Sequence, residues 1–471
     1  MEIAADTLAQ ICTKTSELIY AGQYEAARDE LGALWAGIGQ RPSLNFPPHM
    51  RAEVLLQCGT LSGWLGSAKQ LDVQEKAIAL LTEALHIFQT LSLKPKASEV
   101  QYELGMCYFR RGAYDQARVV LDEALKGLED TELRTKILIR RTIIEIWLGK
   151  HHEAWETLKE AQAFYEQCSD PVKGRWHGQM ALVLRRLACE ENRADYSDRA
   201  IVEYMAAAYY CERAGHERYC ATILNNLAFL LHTLARYEEA HEHLDRAHNF
   251  LQKIRDVGLL AQVDETRARV LAAQQNYLEA RRVIIGVIET FERGGEAALL
   301  ADALIIKATA QARLGDYEES LQTFRSAIRI AKSAGALSNA GRAAISMIEE
   351  HAKRLSEYEL YRAYERADEL LAATQDVEDL ARLRACARVV TRRLYGPELD
   401  EYFTLPEAVT EYEARFVERA LVEEGGSITR AAQRLSVSHQ TLSAMLKTRH
   451  QKLRSKRKAE ARRKSIISKG K

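Results

Sequence analysis

Proline is scarce in this sequence, at seven in 471 residues. Proline inside a helix removes a hydrogen bond and clashes with the preceding turn, so its scarcity leaves long helices uninterrupted. No apolar run reaches the eighteen or so residues that a membrane-spanning helix needs, and no membrane partner is expected. The start, "MEIAADTLAQ", lacks a basic region followed by an apolar one, so no secretory signal is expected. The eight cysteines, at 12, 58, 107, 168, 189, 211, 220 and 386, include no CxxC pair. They read as small buried hydrophobes, with neither disulfides nor a zinc site. There is no GxxxxGK phosphate loop, no GxSxG, no HExxH and no GxGxxG. The expectation is a binding protein that is not an enzyme and needs no metal or cofactor.

Leucine, alanine, glutamate and arginine dominate, a composition that favours helix. Net charge is zero but unevenly spread. Residues 447–471 carry +11, and the 446 residues before them carry −11. A basic end on an acidic body points to a negatively charged partner.

One phrase recurs along the chain. It appears as "GQYEAA" at Tyr24, "GAYDQA" at Tyr114, "GKHHEA" at His151 and "ARYEEA" at Tyr237. It returns as "QNYLEA" at Tyr277, "GDYEES" at Tyr317 and "SEYELY" at Tyr358, with degenerate copies ending at Ala77 and Ala200. The position three residues after the aromatic falls at 27, 77, 117, 154, 200, 240, 280, 320 and 361. The last four steps are 40, 40, 40 and 41, a strict period. Each phrase reads as the junction of a helical hairpin. A glycine or polar residue permits the turn, and a small residue one helical turn later allows close approach. The second helix then carries an apolar stripe, as at Leu321, Phe324, Ile328 and Ala331. One hairpin cannot bury such a stripe alone, so neighbours stack into a superhelix with a concave face. "RPSLNFPPHM", with three of the prolines, reads as the loop within the long first interval.

These phrases resemble the tetratricopeptide repeat, with "LNNLAFLLHTLARYEEA" at 224–240 especially similar. The unit here is forty residues, longer than the family's commonest 34. The resemblance implies an all-α, tetratricopeptide-like superhelix of about nine helical hairpins over residues 1–395, with first helices lining a groove for a peptide, a protein or a small ligand. It also implies that Asn225 and Asn226 contact such a ligand, since an amide offers both a donor and an acceptor. Without a ligand role they read as surface or packing amides. The histidines of "HEHLDRAH", His241, His243 and His248, lack the three- or four-residue spacing of a helical metal pair and read as solvated surface. Tyr204 and Tyr209 read as core.

A linker is expected over 396–406, opening with Gly396–Pro397. A helical module follows over 407–450. Thr404 and Glu407 form a capping-box pattern, and Val409, Tyr412, Phe416 and Ala420 form an apolar stripe. Gly425–Gly426 ends that helix. Ser427 caps a short helix "ITRAAQRL", and Ser438 caps "HQTLSAMLKTRH". Two short helices across a tight turn describe a helix-turn-helix. Residues 426–447 resemble the Fis-type module of the nitrogen-regulation class of enhancer-binding activators. The matching residues are Ser427, Ile428, Thr429, Arg430, Ala431, Ala432, Leu435, Val437, Ser438, Thr441, Leu442, Leu446 and Lys447. The resemblance implies double-stranded DNA as partner and a homodimer on paired half-sites. Thr429 and Arg430 would then meet phosphate. Ser438, His439, Gln440, Thr441 and Ala444 would lie along the major groove, and Lys447 and Arg449 would reach the backbone. Ser436 replaces the usual turn glycine, at a cost of about 1 kcal/mol. The basic tail, 451–471, adds phosphate contacts that read no sequence.

The expected protein is thus a cytoplasmic, bacterial, DNA-binding transcriptional regulator, nucleoid-associated when bound, whose repeats sense a ligand. The alternative is a repeat scaffold with a nonspecific nucleic-acid-binding tail.

Overall fold

A computed structural model describes residues 5–42, 45–68, 73–294, 296–374, 376–395 and 404–456. Of the expected linker and tail, residues 396–403 and 457–471 lie outside the described residues. Among the described residues all regular structure is helical.

The first hairpin pairs α1 (Ala5–Tyr20) with α2 (Tyr24–Leu31). Then come α3 (Pro48–Ala68) with α4 (Gln74–Thr90), and α5 (Lys94–Arg110) with α6 (Tyr114–Leu125). They are followed by α7 (Thr131–Trp147) with α8 (His151–Gln162), and α9 (Asp170–Glu190) with α10 (Ala194–Arg213). Next are α11 (Glu217–Thr233) with α12 (Tyr237–Ile254), and α13 (Val257–Ala273) with α14 (Tyr277–Gly294). The last pairs are α15 (Ala297–Leu314) with α16 (Tyr317–Ser333), and α17 (Leu337–His351) with α18 (Glu357–Leu371). Beyond them lie α19 (Val377–Tyr395), α20 (Leu405–Glu423), α21 (Ile428–Arg434) and α22 (His439–Lys447). The chain forms two compact units, residues 1–343 with 373–380, and residues 344–372 with 381–471.

In the first unit, the recurring phrase sets each hairpin. The second helix begins on its aromatic or histidine at Tyr24, Tyr114, His151, Tyr237, Tyr277 and Tyr317. The turn is closed by backbone rather than by capping side chains: Gln23 N–H donates to Leu18 O at 2.9 Å, and Arg236 N–H to Leu231 O at 2.9 Å. This closure puts one residue in the left-handed region. Gly315 takes it freely at φ 95°, but Ala235 and Gln275 occupy it at φ 56° and 63°. The small residue follows one helical turn later. Ala27, Ala77, Ala117, Ala154, Ala200, Ala240, Ala280 and Ser320 are all completely buried. Ser320 remains satisfied there, because its hydroxyl donates to Ala308 O at 2.7 Å.

The ninth phrase is out of register. Tyr361, at the expected small position, is exposed, and Leu360 is fully buried instead. A Ser356–Glu359 capping box starts α18 at Glu357, one residue before the aromatic. Counted from the helix start, the step from Ser320 to Leu360 keeps the period.

The first helices touch in succession from α1 through α15 on the inner side, and α3 also reaches α13. This gives the superhelix its continuous concave layer. Seven cysteines are buried as expected, but Cys189 is exposed. Tyr204 is fully buried, whereas Tyr209 is 57% exposed. His241, His243 and His248 are half-buried rather than solvated. His241 Nε2 lies 2.8 Å from Gln274 Oε1, across the join to the next repeat.

In the second unit, α20, α21 and α22 share one small core. Val417, Ala420 and Leu421 pack with Ile428, Ala431, Ala432, Leu442, Met445 and Leu446. The expected α20 stripe is therefore misplaced. Ala420 is buried, but Val409, Tyr412 and Phe416 are 59%, 58% and 49% exposed. The alanine pair of α21 docks on the C-terminal half of α20 and selects its other face. Thr404 stands at the N-cap of α20, as expected. Glycines 425 and 426, both at positive φ, end that helix.

Ala235 gives a test of the turn. Replacing it with glycine removes left-handed strain but loosens the unfolded chain, for a net stabilisation of roughly 0.5–1 kcal/mol. A higher denaturant midpoint at unchanged slope is expected for Ala235→Gly.

Candidate ligand groove and candidate nucleic-acid interface

The first helices present side chains one turn apart, hence on one face, to the concave side. Lys136 and Arg140 come from α7, Arg175 and Gln179 from α9, and Arg218 and Thr222 from α11. Tyr102 and Met106 of α5, Trp64 of α3 and Tyr24 of α2 complete a cavity of about 100 Å³. Among the described residues no carboxylate lines it. The first hairpin reaches into this space. Its turn residue Gly22 lies so close to His216 that a Cβ would stand 2.5 Å from the ring.

Aromatic faces and guanidinium groups alternate here. Tyr24 stacks on Trp64 with centroids 5.3 Å apart. Arg110 lies 3.9 Å over Trp64, and Arg218 lies 5.4 Å from the same ring. Arg140 sits 3.4 Å over Tyr102 and donates to the Tyr102 carbonyl at 2.8 Å. Three of the cavity's cations have carboxylate partners outside its wall. Lys136 pairs with Glu132 at 3.0 Å, Arg140 with Glu103 at 3.5 Å and Arg218 with Asp256 at 2.5 Å. Arg175 instead donates to the Tyr102 hydroxyl at 3.2 Å and lies against the ring of Tyr20. Burial, with Arg218 nearby, lowers the Arg110 guanidinium to about 10.

Beside this cavity opens a cleft of about 930 Å³ between α1, α3, α5 and α7. The two share Tyr102 and Lys136 in their walls. The cleft has the opposite character. Glu17, Glu53, Glu99, Glu103, Asp130 and Glu132 line it, against Lys96, Lys136 and His49. Burial pushes the Glu53 carboxyl above its usual range.

Asn225 and Asn226 lie on α11 and are half-buried. Asn225 Oδ1 is buried without a hydrogen-bond partner. Neither amide lines the cavity, whose α11 wall ends at Thr222. The residues that form the cavity escape a search for motifs. Their signal is a cation at the inner face of successive first helices, at 140, 175 and 218, where alanine or leucine would pack.

Elsewhere, the Tyr165 hydroxyl lies 2.7 Å from His177 Nε2, and His177 Nδ1 lies 2.5 Å from Glu203. Burial, with Tyr210 close by, pushes the Tyr165 hydroxyl upward, the reverse of an activated nucleophile.

In the second unit, Ser427 caps α21 through Arg430 N–H at 3.5 Å, and Ser438 caps α22 through Thr441 N–H at 3.0 Å. Ser436 takes the left-handed turn position at φ 55°. Thr429, Arg430, Ser438, His439, Gln440, Thr441, Ala444, Lys447 and Arg449 are all exposed. Leu442, Met445 and Leu446 hold the opposite side of α22 in the core, so Gln440, Ala444 and Lys447 share its outer face. Several cations near this surface have acidic partners. Arg430 pairs with the Glu424 carboxylate at 3.6 Å and also donates to the Glu424 backbone carbonyl at 2.9 Å, Arg434 pairs with Glu423 at 2.6 Å, and Arg449 donates to Glu413 at 2.8 Å.

Two segments of the chain, residues 75–135 and 259–333, match models of the tetratricopeptide repeat. No curated relative matches the chain significantly. Among solved structures, the chain is similar to a Rap protein complexed with competence and sporulation factor. There the TM-score is 0.52 and identity 18%, over 76% of this chain and 99% of that one. It is also similar to a signal transduction ATPase with numerous domains, a protein with a tetratricopeptide repeat sensor from Pyrococcus horikoshii. That match has a TM-score of 0.51 and 13% identity, over 73% of this chain. This chain spans 54% of that protein's length. These likenesses place the repeats in the tetratricopeptide fold.

His216 gives a test of the groove's interior. Burial, helped by Arg175 and Arg218, lowers its imidazole to about 3. The unfolded chain therefore binds a proton near pH 6.5 that the folded chain refuses until about pH 3. Stability from this group is present above pH 6.5 and falls toward pH 3, by up to about 1.4 kcal/mol per pH unit. His216→Asn, which keeps a capping side chain, should show a shallower loss in denaturation series across this window.

Proposed function

We propose that the chain is a DNA-binding transcriptional regulator whose repeat groove senses a peptide, protein or small ligand, and that it acts by binding rather than by catalysis. The observation that carries the DNA reading is the exposed polar face of α22. It is held outward by a hydrophobic back and entered through a serine cap. An α-helix presented in this way fits the major groove. Gln440 suits adenine, which a side-chain amide bonds bidentately, while Thr441 suits a phosphate or a thymine methyl. The sensing reading draws support from the repeat fold and from the Rap likeness, where the related structure is complexed with a factor.

In this reading the protein works as a cytoplasmic homodimer on paired half-sites. The exposed Val409, Tyr412 and Phe416 of α20 supply apolar surface that a second copy would cover. A ligand in the groove would alter superhelix curvature and so the spacing of two DNA-binding modules.

DNA selected from a random pool by the full chain supplies the test. Arg430→Ala with Gln440→Ala should weaken selected sites by about 1–3 kcal/mol, roughly 5- to 150-fold, and relax sequence preference. A chain ending at Lys456 keeps Leu453 on the core and loses the rest of the basic tail. It should bind all sequences more weakly, with a flatter salt dependence. An unaffected double variant beside a tail deletion that abolishes binding would instead make the chain a nonspecific nucleic-acid-binding scaffold.

A further inference from the structure

Tyr209, expected in the core, belongs instead to an uncovered stripe on α10. Val202, Met205 and Tyr209 follow one another at steps of three and four, so they share one face of the helix. They are 66%, 47% and 57% exposed. Among the described residues no other second helix of the array does this. α8, α12 and α16 expose no large apolar side chain, and α14 exposes two, Leu278 and Ile285, seven positions apart. The first helices form the inner layer, so the stripe runs along the convex side. Three large apolar groups in succession, rimmed by charge, mark a surface that another molecule covers.

The charges beside the stripe select that molecule. Asp198 and Glu212 continue the steps of four and three at its two ends. Both lean toward α12. Glu212 pairs with Arg246 of that helix, and Asp198 lies within electrostatic reach of Arg236 at its N-cap. Arg199 and Arg213 lean the other way. Arg199 lies 5.7 Å from the ring centroid of Trp155 on α8, and Arg213 pairs with Asp170 at the start of α9 at 2.9 Å. Arg213 also donates to the Tyr209 hydroxyl at 3.3 Å, which holds it against the stripe. Asp195, one turn earlier on the basic flank, is already held by Arg193 at 3.0 Å. The stripe thus has an acidic flank and a basic flank, with their charges at the same two heights along the helix.

A two-fold axis parallel to α10 turns the acidic flank of one copy onto the basic flank of its mate. Asp198 then meets Arg199 of the second copy, and Glu212 meets its Arg213, each pair being made twice while the stripes cover each other. An antiparallel mate would set acid on acid and arginine on arginine. A contact between identical copies requires a patch complementary to itself, and α10 meets that requirement in one orientation. Among the described residues neither Asp198 nor Arg199 has an ion-pair partner within the chain.

We propose that α10 is a self-association surface on which a second copy of this chain docks in parallel, with Val202, Met205 and Tyr209 on their counterparts and Asp198 on Arg199. The contact belongs to the repeat unit. It is separate from the α20 surface and does not rest on the DNA reading. It joins two arrays back to back and leaves both concave faces open. One helix face lies at the small end of specific interfaces, so the association should be weak.

The test exchanges the two charges in the full-length chain and follows association by analytical ultracentrifugation up to about 100 µM, a range suited to a small contact. Asp198→Arg sets arginine against Arg199 of the mate, and Arg199→Asp sets aspartate against Asp198. Each alone should weaken association at least about tenfold. An equimolar mixture of the two variants should recover it, because both interfacial pairs then carry opposite charges. The double exchange within one chain should recover it too. Both side chains are exposed, and recovery in the mixture also shows that each variant folds. Association through α20 is indifferent to these exchanges. Unchanged association in both single variants, or no recovery in the mixture and the double exchange, would overturn the proposal. Tighter association of Arg199→Asp alone would overturn the parallel docking, since aspartate there suits Arg213 of an antiparallel mate. A parent chain that stays monomeric at about 100 µM would overturn self-association and leave the stripe to a different protein.

Discussion

The repeat unit depends on one close approach, where the second helix of each hairpin crosses the first at a residue with almost no side chain. Alanine fills this place seven times and serine once, always at zero exposure. A larger residue there would push the helices apart and open a gap that neighbouring repeats could not close, since protein cores are packed to near-crystal density. The forty-residue step follows from this constraint. Two helices of about seventeen residues and two short turns return the chain to the same contact, and the next hairpin stacks on the last. Leu360 of α18 is the exception in size, although it keeps the forty-residue step.

That contact also explains what could be read from the sequence. The crossing residue, the aromatic before it and the turn before that are local, so they recur as a phrase. The single slip, at Tyr358, came from a cap that starts the helix one residue early, a signal carried by Ser356 and Glu359 rather than by the aromatic. The groove was much less legible. Gly22 against His216, or Arg218 near Trp64, joins residues more than 150 positions apart. Such contacts arise from superhelix curvature, which sums small rotations over many repeats and leaves no local mark. The α20 stripe failed for another reason. Val409, Tyr412 and Phe416 satisfy helical spacing, and so do Val417, Ala420 and Leu421. Periodicity offers both faces, and only the docking of Ala431 and Ala432 chooses between them.

The first hairpin gives the groove its chemical division. By bringing Tyr20, Gly22 and Tyr24 against α9 and α11, it separates a small cationic pocket from a wider acidic cleft. Most of the pocket's charge is balanced from outside its wall, by Glu132 and Glu103 of the cleft and by Asp256. This arrangement fixes the cations in place and leaves their outer faces toward the cavity. Among the described residues Arg175 has no such carboxylate partner and is held instead by the Tyr102 hydroxyl and the ring of Tyr20, a weaker set of contacts for a half-buried charge. Stability given up at one site within an otherwise consistent core is the usual mark of a functional position.

The same reasoning, applied to the second unit, refines the proposed DNA contact. Its fold is well specified, with both short helices capped by serine and a shared core behind them. Its charge is less committed. Arg430, Arg434 and Arg449 already contact Glu424, Glu423 and Glu413. These pairs are exposed, so each is worth at most about 1 kcal/mol and exchanges readily for phosphate. The exchange nevertheless returns a carboxylate to the neighbourhood of a negatively charged helix, which reduces the net gain from each arginine. The outer face of α22 offers chiefly uncharged groups, Gln440 and Ala444, which discriminate bases without attracting the duplex from a distance. In the proposed complex, attraction would therefore fall to Lys447 and to the basic residues after it. The neutral helix then has its effect only once the duplex is already close. Such a division yields a protein that finds DNA through charge but distinguishes sites through a few short-range contacts, so its specificity should survive salt concentrations that weaken its overall affinity.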